Sequence, residues 1–465
     1  MKSILILSLL LCSAIFANSQ PNILLIYADD LGYGELGCHG FKEVPTPHID
    51  SIAANGIRFT QGYVSAPLCS PSRAGLMTGR YQQRFGHENN AMTAEKGLPV
   101  AETTLANRMK VLGYATGIVG KWHLGNDSEH LPMNRGFDDY FGVVGNPGSF
   151  FTPKGFIDSR ASAEPREAPK DFYTTDAFAG RAAEWIEQHK ASPWFLYLPF
   201  NAVHAPHEAT AKYLERFEHI PSAKRRPFDA MLSAMDDAVG VVLTKLRELN
   251  LEENTLIFFI SDNGAPGNRE GNGSLRGGKY TCWEGGTRLP WMMQWKGRLP
   301  AGIVEDRPVI QLDVLPTCIA AAGGKVDPAW QLDGVDLLPF LTGGNTVRPH
   351  ETLYWRIDGM WAVRHGDLKL VSAEKGRTAE LFNLAADTGE KQDLASAQPD
   401  KVAELRRLWD EWNASLAAPS KIRAKEIAGD AAPTTPSGEP APKTRKELRK
   451  ERKKAAAQQD ADKKG

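Results

Sequence analysis

The chain has 465 residues, is 42% hydrophobic, and carries 55 basic against 56 acidic side chains for a formal charge of −1. That length and apolar content are enough for a large core and more than one domain. The balanced charge excludes a global field of the kind that draws a protein to nucleic acid or to a membrane surface.

The opening MKSILILSLLLCSAIFANSQ joins one Lys to an apolar stretch too short to span a bilayer, followed by small residues. It reads as a secretory signal peptide over 1–19, cleaved after Ala17 or Ser19. Leu11 stands where a lipid anchor at Cys12 would have a small residue. No later run is long and apolar enough to cross a membrane. The expectation is an exported protein, periplasmic or secreted, with no membrane span and no nucleic-acid partner. Of the five cysteines, Cys12 leaves with the leader. Cys38, Cys69, Cys282 and Cys318 show no CxxC or His-rich spacing for zinc, and at most one disulfide is expected.

The first buried strand is expected at Asn22 to Tyr27 (NILLIY). A helix start follows at CSPSRAGLM, with Ser70 as N-cap and Pro71 as first helical residue. Cys69 then faces unpaired N–H groups and the positive end of the helix dipole, where a reactive thiolate is favoured. Further strands are expected at Ala115 to Val119, Phe195 to Phe200 and Leu256 to Ile260. Between the last two, Phe228, Met231, Leu232, Met235, Val239, Val242 and Leu246 recur at helical spacing, with Asp236 and Asp237 on the same helix. Alternating strands and helices imply βαβ units and a mostly parallel sheet flanked by helices.

From about Thr346 the texture changes to short strand-like pieces, ETLYWRI, MWAVRHGDLKLV and AELFNL, closed by a helix near Pro399 to Leu416. The division is therefore 1–19 leader, 20–345 catalytic domain, 346–417 antiparallel α+β subdomain, and 418–465 a basic tail too polar to bury a core.

Each of the four early strands runs into residues of catalytic type: Asp29-Asp30, Gly120-Lys121-Trp122-His123, Asn201-Ala202-Val203-His204, and Ser261-Asp262-Asn263-Gly264. Ligands of open α/β sheets bind beyond the carboxyl ends of the strands, so four such endings form one pocket. Asp29, Asp30, Asp262 and the amide oxygen of Asn263 are hard oxygen ligands that suit Ca²⁺, or Mg²⁺ in tight octahedral geometry. Arg73, Lys121, His123, His204 and Lys279 add cationic and protonatable groups. A metal ringed by such groups suits a tetrahedral oxyanion ester, sulfate or phosphate, with His as acid for the leaving alcohol.

Cys69-Ser70-Pro71-Ser72-Arg73 with the trailing Leu76-Met77-Thr78-Gly79-Arg80 resembles the sulfatase signature C-x-P-x-R. The segments Gly113 to Gly125, Ser261 to Gly264, Lys279 to Pro290 and AELFNLAADTGEKQDLA are also similar to that family, over about Pro21 to Leu416. The resemblance implies an alkaline-phosphatase-like fold and hydrolysis of sulfate esters, those of a sulfated polysaccharide or oligosaccharide. It implies that Cys69 is oxidised to formylglycine by a maturation enzyme that reads the Pro and Arg. The aldehyde hydrate attacks sulfur and then expels sulfate by re-forming its C=O, which a serine hydroxyl does not do.

Carried over by position, Asp29, Asp30, Asp262 and Asn263 bind one Ca²⁺ with modified Cys69 beside it. Arg73 and Lys121 hold the hydrate, and Asp262 is placed to take its proton. His204 and Lys279 contact the sulfate and protonate the leaving oxygen. His123 takes the second hydroxyl proton. Cys282 is read as packing. Specificity is assigned to the loops 146–170 and 206–226 and to the C-terminal subdomain, with His207, Trp122, Arg269 and Arg276 as candidates for gripping a sugar. The alternatives are a phosphodiesterase or phosphonate hydrolase of the same superfold, and a non-catalytic glycan-binding homologue.

Overall fold

The apolar runs become the strands expected of them, each a residue or two longer or shorter at its ends. The computed structural model describes residues 20–418 apart from 91–95, 268–269, 374–375 and 377. The leader at 1–19, Arg269 and, but for Ala418, the basic tail lie outside the described residues.

Strands are numbered in chain order: β1 Asn22–Ala28, β2 Ile57–Phe59, β3 Gly62–Tyr63, β4 Ala115–Lys121, β5 Asp139–Val143, β6 Phe156–Asp158, β7 Ser162–Arg166 and β8 Trp194–Pro199. They continue as β9 Thr255–Ser261, β10 Trp291–Gln294, β11 Ile303–Glu305, β12 Val309–Ile310, β13 Thr352–Ile357, β14 Met360–His365, β15 Leu368–Ser372 and β16 Glu380–Asn383. A ten-stranded sheet has the order β11-β2-β10-β9-β1-β8-β4-β5-β6-β7. Its centre, β9-β1-β8-β4-β5, is parallel, and antiparallel neighbours stand at both flanks.

The composition of β1 explains its position. Leu24 and Ile26 point into one core and Ile23, Leu25 and Tyr27 into the other. A strand with no polar face is stable only where helices cover both sides. The helices Thr174–His189 and Arg225–Glu248 bury Phe178, Trp185, Met231 and Val239 on the first side. The helices Cys69–Thr78, Leu105–Val111 and Val314–Ala321 bury Leu76, Met77, Met109 and Leu315 on the second.

The C-terminal strands β13 to β16 make a four-stranded antiparallel sheet crossed by the helix Pro399–Ala414. Trp361 meets Trp409 with ring centroids 4.6 Å apart, and Tyr354 stacks on Trp412 at 4.8 Å. Such aromatic pairs contribute roughly 0.5–1.5 kcal/mol each beyond area burial.

Two local expectations are corrected. The helix begins at Cys69, with Leu68 as its N-cap and no capping side chain, so Ser70 and Pro71 lie inside the first turn. The hydroxyl of Ser70 is drawn away by stronger partners outside the helix. Trp122 is fully buried, with Nε1 donating to the His130 carbonyl at 2.8 Å, and cannot grip a sugar. The four cysteines Cys38, Cys69, Cys282 and Cys318 are free thiols. No helix among the described residues is long and apolar enough to cross a membrane.

Candidate active site

Strand register puts the chemistry on one level. In the β1–β9 pair Ala28 stands opposite Ser261, so Asp29 and Asp30 emerge beside Asp262 and Asn263. In the β1–β8 pair Tyr27 stands opposite Pro199, which brings Asn201 and the His204 turn to the same edge. The exits are locked by the main chain: Asp29 N–H donates to Ala202 O at 3.0 Å, Val203 N–H to Asp29 O at 2.8 Å, and Asp262 N–H to Ala28 O at 3.0 Å.

Three buried carboxylates meet three buried cations there. Lys121 Nζ lies 2.5 Å from Asp29 Oδ2. Lys279 Nζ lies 2.9 Å from Asp30 Oδ1. Arg73 Nη2 donates to Asp262 Oδ2 at 2.9 Å and stands 3.6 Å from Asp29 Oδ2, while its Nη1 donates to Lys121 O at 2.9 Å. His204 Nε2 is 3.7 Å from Asp30 Oδ2, and its Nδ1 lies 2.5 Å from the Ala205 carbonyl. A carbonyl only accepts, so the Nδ1 proton is fixed and Nε2 faces the acids. Cys69 Sγ sits 3.5 Å from Asp29 Oδ1 and 3.9 Å from Asp30 Oδ1. Every position expected of the site is thus within this cluster or, for His123, bonded to it through the main chain.

Burial and charge compete at each group. Burial opposes ionisation of Asp29, yet Lys121, His204 and Arg73 outweigh it and hold the carboxyl well below the usual range. Asp30 is lowered in the same way by Lys279 and His204. Asp262 goes the other way: burial, then the charge of Asp29, push it up to about 7 against Arg73. Burial, followed by Lys121 and Arg73, drives His123 well below its ordinary value. Burial also carries the Cys69 thiol well above its ordinary value, against the pull of Lys279. The expectation of a thiolate at Cys69 is therefore corrected. The helix dipole offers only a partial charge, whereas two carboxylates lie within 4 Å of the sulfur.

The donor set fits a hard divalent cation. One oxygen each from Asp29 and Asp30, with Cys69 and His204, lies within 4.8 Å of the others. Like charges about 4 Å apart repel by roughly 4 kcal/mol at an effective dielectric near 20, so a central cation relieves a real cost. Asn263 is fully buried and donates to Asp30 Oδ1 at 2.7 Å, while its Oδ1 has no hydrogen bond among the described residues. A buried carbonyl oxygen without a donor is what a cation ligand looks like before the ion is added. Formally the three acids and the three cations cancel. A divalent ion would then leave the pocket with net positive charge, suited to an anionic ester.

Asn201, named at its strand end but given no role from the sequence, is buried at the level of Asp29, and neither of its side-chain polar atoms has a partner among the described residues. His87 lies against Ser70, with Nε2 2.7 Å from Oγ. Nothing in residue spacing marks His87. Arg276 stacks on Trp283 at 3.6 Å and donates to Glu390 O at 2.9 Å, which ties it to the C-terminal part. His207 is exposed, with its ring 5.5 Å from Phe228, and it stays a candidate for substrate contact.

The family model described as Sulfatase matches residues 21–324. The chain is 36% identical to the dog (Canis lupus familiaris) N-acetylgalactosamine-6-sulfatase over 88% of each chain. It is 33% identical to human (Homo sapiens) arylsulfatase A, covering 86% of this chain and 89% of that one. The solved structure of Ps i-CgsB in complex with k-i-k-neocarrahexaose superposes with a TM-score of 0.79 at 32% identity, over 89% of this chain and 98% of that chain.

Proposed function

The chain belongs to the sulfatase family, enzymes that hydrolyse sulfuric esters, and from that premise we propose that it removes sulfate from a sulfated carbohydrate outside the cytoplasm. Its fold is the alkaline-phosphatase-like one expected. The observation that carries the site assignment is the buried cluster of Asp29, Asp30, Asp262 and Asn263 beside the sulfur of Cys69, ringed by Arg73, Lys121 and Lys279.

In this reading Asp29, Asp30, Asp262 and Asn263 hold Ca²⁺, which supplies positive charge to the sulfate oxygens. Oxidised to formylglycine by a maturation enzyme, position 69 supplies an aldehyde hydrate as nucleophile. Arg73 reaches Asp262 and Asp29 from its helix and fixes the base against the nucleophile. Asp262 takes the attacking proton at a carboxylate oxygen. Lys121 with Arg73 holds the hydrate, and Lys279 neutralises sulfate oxygens. His204 in its imidazolium form delivers the Nε2 proton to the leaving oxygen and returns to the neutral Nδ1–H ring, and His123 takes the proton whose loss frees sulfate.

The sugar part of the substrate is supported by the names of two relatives, an N-acetylgalactosamine-6-sulfatase and a protein solved with a neocarrahexaose. The leader at 1–19 supports export, and the division into a catalytic part at 20–345, a C-terminal part at 346–417 and a basic tail at 418–465 belongs to the same proposal. The test is sulfate release from sulfated oligosaccharides and from an aryl sulfate, beside the aryl phosphate, with mass spectrometry of the Cys69 peptide. Sulfate release and a thiol-to-aldehyde mass change are expected, and both are lost in Cys69→Ala. Full activity with an unmodified thiol overturns the reading, and faster phosphate release favours the phosphohydrolase alternative.

A further inference from the structure

We propose that His87 and Asn90 are positioning residues of the sulfatase site: through Ser70 they bind the first turn of the nucleophile helix to the main chain of His123. The proposal rests on the roles given above to Cys69 and His123, and it concerns residues outside the signature motifs.

The hydrogen bonds have only one consistent direction. Ser70 Oγ lies 2.7 Å from His123 O and 2.7 Å from His87 Nε2. The carbonyl can only accept, so the single hydroxyl proton goes to His123 O. His87 must then carry its proton on Nε2 and donate to Ser70 Oγ. The Ser70 geometry places a proton on Nε2, and burial, which pushes His87 down to about 3, keeps the ring neutral, so Nδ1 carries none. The relay His87 N–H to Ser70 O–H to His123 C=O is fully buried at its first two members.

His123 needs this support. Its φ is +61°, a left-handed conformation that is unfavourable for a non-glycine residue. Its ring has no hydrogen bond at Nδ1 among the described residues. The ring is therefore aimed by its main chain, which is held at the N–H by Val144 O at 3.0 Å and at the carbonyl by Ser70. On the helix side, Ser70 N–H donates to Asn90 Oδ1 at 3.1 Å. It is one of the four N–H groups that a helix leaves unpaired, in a helix with no capping side chain of its own. One residue, next to the nucleophile, is thus gripped at its amide by Asn90 and at its hydroxyl by His87.

The segment that carries both grips is itself fixed from the C-terminal sheet. Arg356 on β13 donates to Glu88 Oε1 at 2.7 Å and Oε2 at 3.1 Å, and both side chains are buried. Its guanidinium also donates to Asn413 Oδ1 at 2.6 Å and Ala417 O at 2.8 Å. A bidentate pair in which all three guanidinium nitrogens donate is rigid, so residues 87 to 90 form a fixed abutment for the site.

The test uses the full chain and four variants: His87→Leu, His87→Gln, Ser70→Ala, and the double His87→Leu/Ser70→Ala. Turnover on an aryl sulfate is divided by the fraction of Cys69 converted, measured on the same sample. Misplacement of a reacting group by about 1 Å costs on the order of 10²-fold. His87→Leu should therefore lose roughly that in kcat with KM nearly unchanged. His87→Gln, which keeps an N–H donor of similar reach, should recover most of it. Because both residues act through one hydroxyl, the double variant should be no worse than Ser70→Ala alone. Full kcat in His87→Leu, or losses that multiply in the double variant, overturns the proposal. If His87→Leu does not fold, Ser70→Ala alone decides, since it deletes the same relay by removing one oxygen, and full kcat there overturns it. Wild-type protein without conversion or sulfate release would instead sink the functional reading above.

Discussion

His204 is where burial and charge contend most directly at the scale of one residue. Burial lowers its basicity, while Asp30 and Asp29 raise it, and the balance falls below the ordinary value. The imidazolium form of His204 is therefore a stronger acid than a free imidazolium, and it gives up its Nε2 proton readily to a basic leaving oxygen. The need for that proton depends on the leaving group: a nitrophenolate departs almost unaided, whereas a sugar alkoxide does not. His204→Ala should lose more kcat on a sulfated sugar than on nitrophenyl sulfate, by about 10²–10⁴. Both substrates are assayed on one sample, so folding cancels. Equal losses would mean that His204 only positions sulfate, with Lys279 as the acid. Cys69→Ser belongs to the same scale. It restores a hydroxyl but not an aldehyde, and its turnover should fall to nearly that of Cys69→Ala with the melting temperature unchanged.

At the scale of elements, the joint between the large sheet and the C-terminal sheet is an ionic one. Lys369 on β15 is fully buried, 2.8 Å from Glu284 Oε1 and 3.0 Å from Glu390 Oε1. Glu284 opens the short helix Glu284–Thr287, five residues beyond Lys279, and accepts from Tyr63 OH at 2.7 Å. Burial works against its charge, but Lys369 and Arg288 hold it to about 2, whereas burial raises Glu390 to about 7. Removing one partner of such a set strands a buried charge. Lys369→Met should cost about 3–5 kcal/mol, read as a shift in denaturation midpoint. Lys369→Met/Glu390→Gln should lose less than the single change, and a larger loss in the double would contradict this account. This joint was invisible in the sequence. AELFNL and MWAVRHGDLKLV announce strands by alternation, but nothing in either says that Lys369 faces inward to meet Glu284, 85 residues earlier. The long helix at Arg225–Glu248 was fully legible, because its apolar spacing is a local property.

For the whole molecule, the proposed calcium site would couple folding to the ion. An ion that binds only the folded chain stabilises it by RT ln(1 + [L]/Kd), about 2.7 kcal/mol at one hundred times Kd. Ca²⁺ should raise the melting temperature, a chelator should lower it, and Asp30→Asn should weaken the dependence. Zn²⁺ alone restoring stability and activity would contradict the oxygen-ligand assignment.

The sequence by itself determined the strands, because NILLIY or LIFFI can be stable only between two helical layers. It also determined the identity of the groups at their ends, because a signature such as Cys69 to Arg73 is contiguous. The tertiary structure decided how those groups pair. Which Lys meets which Asp follows from strand register across positions more than 90 residues apart, as for Lys121 with Asp29. It also decided the protonation of Cys69, since burial beside two carboxylates outweighs a helix dipole. His87 gained its place in the same way. Only folding sets its ring against Ser70, and a lone histidine carries no local pattern that could announce a contact made by the rest of the chain.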